Sequence, residues 1–192
     1  MQGQGIRKVL CLGILGLIFL AVACSSTSTY SVYERDVVTG KQLLREGDYL
    51  AARGDFLKAS ETERRPEALA LAATASYKLD DLQATAQYLA EAERAGKPGT
   101  FYFRIVGYKA LILLREERKE EGLKVLGDYI QAYKQSYDSD TLPRVEHMWK
   151  KGTVDLPRLE RLIDRQVTEY ENAMDWFSKT HTGPFDKNSW RS

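Results

Sequence analysis

The sequence predicts an all-α protein built as a stack of helical hairpins, and three observations carry that prediction. From about Glu34 onward alanine, leucine, glutamate, lysine and arginine dominate, and runs of β-branched residues are scarce. That is the composition of helices rather than strands. The five prolines fall near the edges of the apolar-periodic segments, where helices begin or end. A spaced set of small and large residues also recurs along the chain at a near-constant interval, the mark of a repeat architecture.

The first element precedes the fold. Arg7 and Lys8 are followed by a charge-free run over residues 9–23, then by Ala21-Val22-Ala23-Cys24 and a Ser/Thr tract. A charged start, an apolar stretch and a small-residue cleavage site make a targeting segment. As a helix, residues 9–23 span about 22 Å, short of the roughly 30 Å of a bilayer core. The segment resembles the signal peptide of a bacterial lipoprotein, with Cys24 as the residue that is cut before and then lipidated. Ala23 and Val22 fit the lipobox, whereas Ala21 stands where leucine is usual and Leu20 comes one place early. A plain secretory signal and an uncleaved anchor are the alternatives. The resemblance implies a body outside the cytoplasm, moored to a membrane by acyl chains. With Ser25 rather than aspartate after the cysteine, it further implies the outer membrane of a bacterial envelope, facing the periplasm.

Loss of residues 1–23 leaves 169 of 192 residues, enough for one domain with a real core. Removing Arg7 and Lys8 from the 28 basic and 27 acidic residues leaves 26 against 27. That balance carries no basic excess for a nucleic-acid partner. Cys11 leaves with the leader and Cys24 is the acylation site, so the mature domain holds no thiol for a disulfide, a zinc site or a nucleophile. Residues 24–33 read as a polar tether, with Ser25 to Ser31 too polar to bury a core.

The repeat occupies residues 34–134. Gly47-Asp48-Tyr49 precedes Ala52, Phe56 and Ala59; Asp80-Asp81-Leu82 precedes Thr85, Leu89 and Ala92, each 33 positions later. Gly122, Leu126 and Tyr129 repeat the set at a shift of 37, with Ala95 to Thr100 absorbing part of the excess. A small residue, a large one four on and another three on lie on one helix face. The preceding helices show seams at Leu69, Ala72, Ala73 and Ser76, and at Phe103, Val106, Gly107 and Ala110. Aligning those seams requires the turn from Arg115 to Lys119 to be about three residues longer than its predecessors. In the first unit only Gly40 marks the seam. The stretch Gly47 to Ala59, with its small residue, aromatic and alanine, resembles the second helix of the tetratricopeptide repeat. The resemblance implies about three such repeats in a curved stack with a concave groove. Thr85, Leu89, Gly122 and Tyr129 depart from its pattern.

Residues 135–177 follow as capping helices. Thr141-Leu142-Pro143-Arg144 is echoed by Asp155-Leu156-Pro157-Arg158, and both place a capping side chain before a first-turn proline. The first helix should end at Gly152. The second carries one apolar stripe, Leu159, Ile163, Val167, Tyr170, Met174 and Phe177, which predicts a cover for the open end of the stack. Residues 178–192 form a polar tail with Phe185 and Trp190.

No constellation of catalytic groups is legible, so the chain reads as a non-enzyme. His147 and His181 lie in different elements without metal-ligand spacing, and Gly96-Lys97-Pro98-Gly99 is a turn rather than a phosphate cradle. No metal or cofactor is expected beyond the covalent lipid at Cys24. The repeat register places Lys41, Thr74, Tyr77, Arg104 and Tyr108 on the groove, and tyrosine and arginine anchor interfaces well. Packing between helices is the competing role for each. The expected function is that of a protein-interaction scaffold binding a protein or peptide in its concave groove. An obligate subunit of an envelope assembly or secretion complex, or a regulator of cell-wall enzymes, is the alternative.

Overall fold

The computed structural model describes residues 32–180; the leader, Cys24, the tract up to residue 31 and the tail from residue 181 lie outside them. Among the described residues all regular structure is helical. The elements are α1 (residues 32–46), α2 (Tyr49–Thr62), α3 (Pro66–Lys78), α4 (Leu82–Arg94), a 3-10 turn (Gly99–Phe101), α5 (Tyr102–Arg115), α6 (Lys119–Ser136), α7 (Leu142–Lys151) and α8 (Leu156–Thr180). Helices pack as neighbours: α3 lies along α2 and α4, α5 along α6, α7 on α6, and α8 returns across α5.

The same turn closes three successive pairs. Asp48 N–H donates to the Leu43 carbonyl at 3.0 Å, Asp81 N–H to Ser76 at 3.0 Å and Arg118 N–H to Leu113 at 2.9 Å. Each donor follows a residue in the left-handed region: Gly47 at φ +85°, Asp80 at +65° and Glu117 at +60°. This six-to-one closure satisfies carbonyls orphaned at a helix end. The three turns stand 33 and then 37 positions apart, the intervals of the side-chain pattern. Asp48 and Asp81 then cap α2 and α4, accepting from Ala51 and Ala84 N–H at 3.1 Å each. Arg118 makes no side-chain cap to α6.

Only glycine adopts a left-handed φ without strain. Glu117→Gly is therefore expected to raise stability by about 1 kcal/mol. Equilibrium urea unfolding checks this, and a fall in the midpoint would contradict it.

All nine members of the small–large sets are buried. Gly122 shows why one member must be small: a Cβ there would stand 2.7 Å from Leu114 Cγ.

The structure corrects four expectations. First, the turn over residues 116–118 is as short as that over 79–81. The four extra residues lie before α5, where residues 95–101 replace the three-residue link 63–65. Leu69 and Ala73 therefore correspond to Val106 and Ala110 rather than to Phe103 and Gly107. Second, residues 32 and 33 are helical, and Tyr33 is fully buried beneath the Arg65 guanidinium, 4.5 Å from its ring centre. An aromatic anchor thus extends the domain into the segment read as tether. Third, Thr141 does not cap α7. It is buried and accepts from Gln166 instead. Asp155 does cap α8, accepting from Arg158 N–H at 3.0 Å, and Gly152 ends α7 in the left-handed conformation. Fourth, α8 runs on to Thr180, past the expected start of the tail.

Candidate functional site

The five groove candidates do not line an open groove. Thr74, Tyr77, Arg104 and Tyr108 are buried, at 3, 2, 5 and 0 % exposure. Over Arg104 and Tyr108 the cover is α8, which packs on α5 and meets α3 through the ion pairs of Lys78. Lys41 alone stays accessible; its ammonium pairs with Glu67 at 2.7 Å and sits 5.4 Å above the Phe101 ring.

The reason lies in the sequence of α8. At 3.6 residues per turn, Leu159, Ile163, Gln166 and Val167 share one face and are buried. Glu160, Asp164 and Glu171 lie beside that face and meet the cations of the stack. Arg104 grips Glu171 with both prongs, Nε to Oε1 at 2.7 Å and Nη2 to Oε2 at 2.8 Å. Its Nη1 donates to Thr74 Oγ1 at 3.1 Å, and that hydroxyl donates on to the Ala70 carbonyl. Lys78 reaches Glu160 and Asp164, each at 2.5 Å. Tyr108 donates its hydroxyl to Asp164 and meets Tyr77 edge to face, ring centres 5.3 Å apart. Burial alone would depress the Lys78 ammonium, yet Asp164 and Glu160 hold it above the usual lysine value.

Gln166 is a second polar node. Its Oε1 accepts from Tyr129 at 2.9 Å, its Nε2 donates to Thr141 at 2.9 Å, and its backbone carbonyl accepts from Tyr133 at 2.9 Å. Satisfied buried networks of this kind fix one arrangement, because a shift leaves polar groups unpaired. Beside them Phe103, Tyr133, Tyr137 and Tyr170 form an aromatic cluster with centroid separations from 4.7 to 6.2 Å.

The approach of α8 needs Gly107. A Cβ there would lie 2.8 Å from Ile163 Cγ2 and 3.3 Å from Tyr129 Cε2. Gly107→Ala is expected to cost about 1–3 kcal/mol through overpacking. A thermal melt measures it, and an unchanged midpoint would show that α8 does not press on α5.

The buried phenols set an alkaline limit. Burial, then the Glu160 carboxylate, pushes the Tyr77 phenol up to about 12. Burial followed by Asp164 raises Tyr108, and burial followed by Tyr133 raises Tyr129, both well above the ordinary value. An unfolded phenol ionises near pH 10. A phenol whose folded pKa is raised favours the fold below that pH, and the contribution is lost as pH climbs through the folded value. Stability should fall from about pH 10 upward, with these phenols ionising as helicity is lost. Phenolate absorbance and circular dichroism report this together. Smooth ionisation of every tyrosine with helicity intact would contradict it.

The open concavity is on the other side of α5. A cleft of about 520 Å³ lies between α4, α5 and α6, floored by Ala86, Leu89, Ala90, Ile112, Leu113 and Val125. Its rim holds the ion pairs Glu93–Lys109 at 2.9 Å and Arg118–Glu121 at 2.7 Å. The apolar floor and charged rim suit a partner side chain or helix edge. Sequence reasoning missed the cleft, because it is a gap between three helices that no single residue marks.

Among the described residues no group of three or more His, Cys, Asp or Glu is placed to hold a metal, and no helix is long and apolar enough to cross a membrane. No protein-family model, curated protein or solved structure matches the chain.

Proposed function

We propose that this chain is a bacterial envelope lipoprotein, moored through acyl chains on Cys24 at the outer membrane facing the periplasm. Its body is a tetratricopeptide-like solenoid that acts as a protein-interaction scaffold. The observation that carries the scaffold reading is the turn that recurs at 33 and 37 positions with the same hydrogen bond and the same left-handed residue. One hairpin geometry used three times is how a solenoid is built, and solenoids present extended surfaces to partners. The mooring rests on the order of charge, apolar run and cysteine in residues 7–24.

The partner-binding face we assign is the α4–α5–α6 cleft, since α8 occupies the inner face. Tyr77 and Tyr108 then serve packing, and their replacement would damage the core rather than report on a partner. A photo-crosslinking residue at Ala90, in the cleft, is compared in intact envelopes with one at Gln42, on the exposed side of α1. A discrete adduct from position 90 alone, lost when Ala86→Trp fills the floor, is the expected result. Adducts from both positions alike, or from neither, would refute the cleft as the docking face.

A further inference from the structure

Beside its buried and acidic faces, α8 has an exposed one. Arg158, Arg161, Arg165, Asn172, Trp176 and Lys179 follow one another along it, over about 31 Å at 1.5 Å per residue. Across the turn α7 adds exposed Arg144, His147, Lys150 and Lys151. Asp140, just before α7, approaches Arg165 at 3.5 Å and so brings the start of α7 beside the middle of α8.

The acids of this hairpin neutralise only part of that face. Glu160 and Asp164 turn inward to Lys78, Asp155 caps α8, and Glu146 pairs with Lys150 at 2.8 Å. Glu169 pairs with Arg165 and Asp175 with Lys179. Arg144, Lys151, Arg158 and Arg161 make no ion pair among the described residues. The chain is near neutral as a whole, so this is a local excess of positive charge. Trp176, 59 % exposed, stands on the same line.

We propose that the outer face of the α7–α8 hairpin is a membrane-contact surface that lies on anionic phospholipid headgroups. This rests on the reading that Cys24 is acylated. From Cys24 to residue 32 the chain spans about 28 Å when extended, so a moored body stays beside the bilayer. Basic side chains near such a surface are drawn to it by its negative potential. A cationic line along one helix with one tryptophan on it suits a flat, charged surface, since tryptophan favours the headgroup level. The face has too little exposed apolar area to insert. Its effect is orientation: α8 faces lipid, and the α4–α6 cleft is held away from α8's side of the body.

The test uses the full chain with Cys11→Ser, in nanodiscs of phosphatidylcholine alone or with one third phosphatidylglycerol. A fluorophore on Thr168→Cys, beside the stripe, or on Gln87→Cys, exposed on α4, reports energy transfer to a headgroup-labelled lipid. Transfer from position 168 should rise when anionic lipid is added. The rise should vanish at about 1 M salt, where the screening length is about 3 Å, and in R158Q/R161Q; position 87 should not respond. Equal transfer from position 168 in both lipids, or a rise that survives salt and the double variant, overturns the proposal. A copurifying acidic protein that accounts for the signal in both lipids also overturns it. The mass of the N-terminal peptide reports acylation separately. An unmodified Cys24 removes the mooring, while the lipid and salt dependence is still read on the same chain.

Discussion

Replacing Arg104 with alanine is expected to lower stability by about 3–5 kcal/mol, one of the largest effects of any single substitution in this chain. The guanidinium is 5 % exposed and its partner Glu171 12 %. The variant therefore leaves a carboxylate in a poorly hydrated site and strips Thr74 of a donor. For a domain of this size, each kcal/mol moves the melting midpoint by about 2–4 °C, so a fall of roughly 6–20 °C should be seen. The intact pair need not stabilise the fold, because desolvation opposes its attraction. Arg104→Met with Glu171→Leu should recover most of the loss. A single variant that melts like the parent would mean that α8 does not seat there.

Ending the chain at Asp155 is expected to have the larger effect. It removes the cover from Tyr108, Tyr129 and Tyr133, all fully buried, and unseats the partners of Lys78 and Arg104. Burying each large side chain contributes about 1.5–3 kcal/mol, so several lost together exceed the whole stability of an ordinary domain, about 5–15 kcal/mol. The truncated chain should show no cooperative thermal transition and should aggregate or be degraded. If it stays monomeric, helical and cooperative, α8 is an accessory to the stack, and the inner face is a groove free for ligands.

How far the sequence discloses this arrangement depends on the element. The hairpins are legible because their signal is local and repeated. Ala52 with Phe56, Thr85 with Leu89 and Gly122 with Leu126 each put a small and a large residue one turn apart, and the turns between carry their own marks at Gly47 and Asp48. Glu117 hides the third turn, because a glutamate gives no sign of a left-handed backbone. The inner face is harder. Thr74, Tyr77, Arg104 and Tyr108 read as groove residues but are buried, and Tyr108 meets Asp164 from more than fifty residues away in sequence. The apolar stripe of α8 is plain from Leu159 to Phe177. Its acidic companions Glu160, Asp164 and Glu171 look like ordinary surface charge until Lys78 and Arg104 are brought opposite. Charge complementarity between distant helices exists only after folding, so periodicity cannot expose it. The cleft is hidden for a related reason: it is the space between α4, α5 and α6, and no side-chain pattern encodes a gap.

Hydrogen exchange across α8 tests the central claim most directly. If α8 is part of the core, the amides of Leu159 to Glu171 should exchange as slowly as those of Phe103 to Leu113 in α5, both opening only when the whole domain unfolds. Denaturant should accelerate the two helices in parallel. Exchange of α8 through a separate, low-energy opening, with α5 still protected, would contradict the account and leave the inner face open to another occupant.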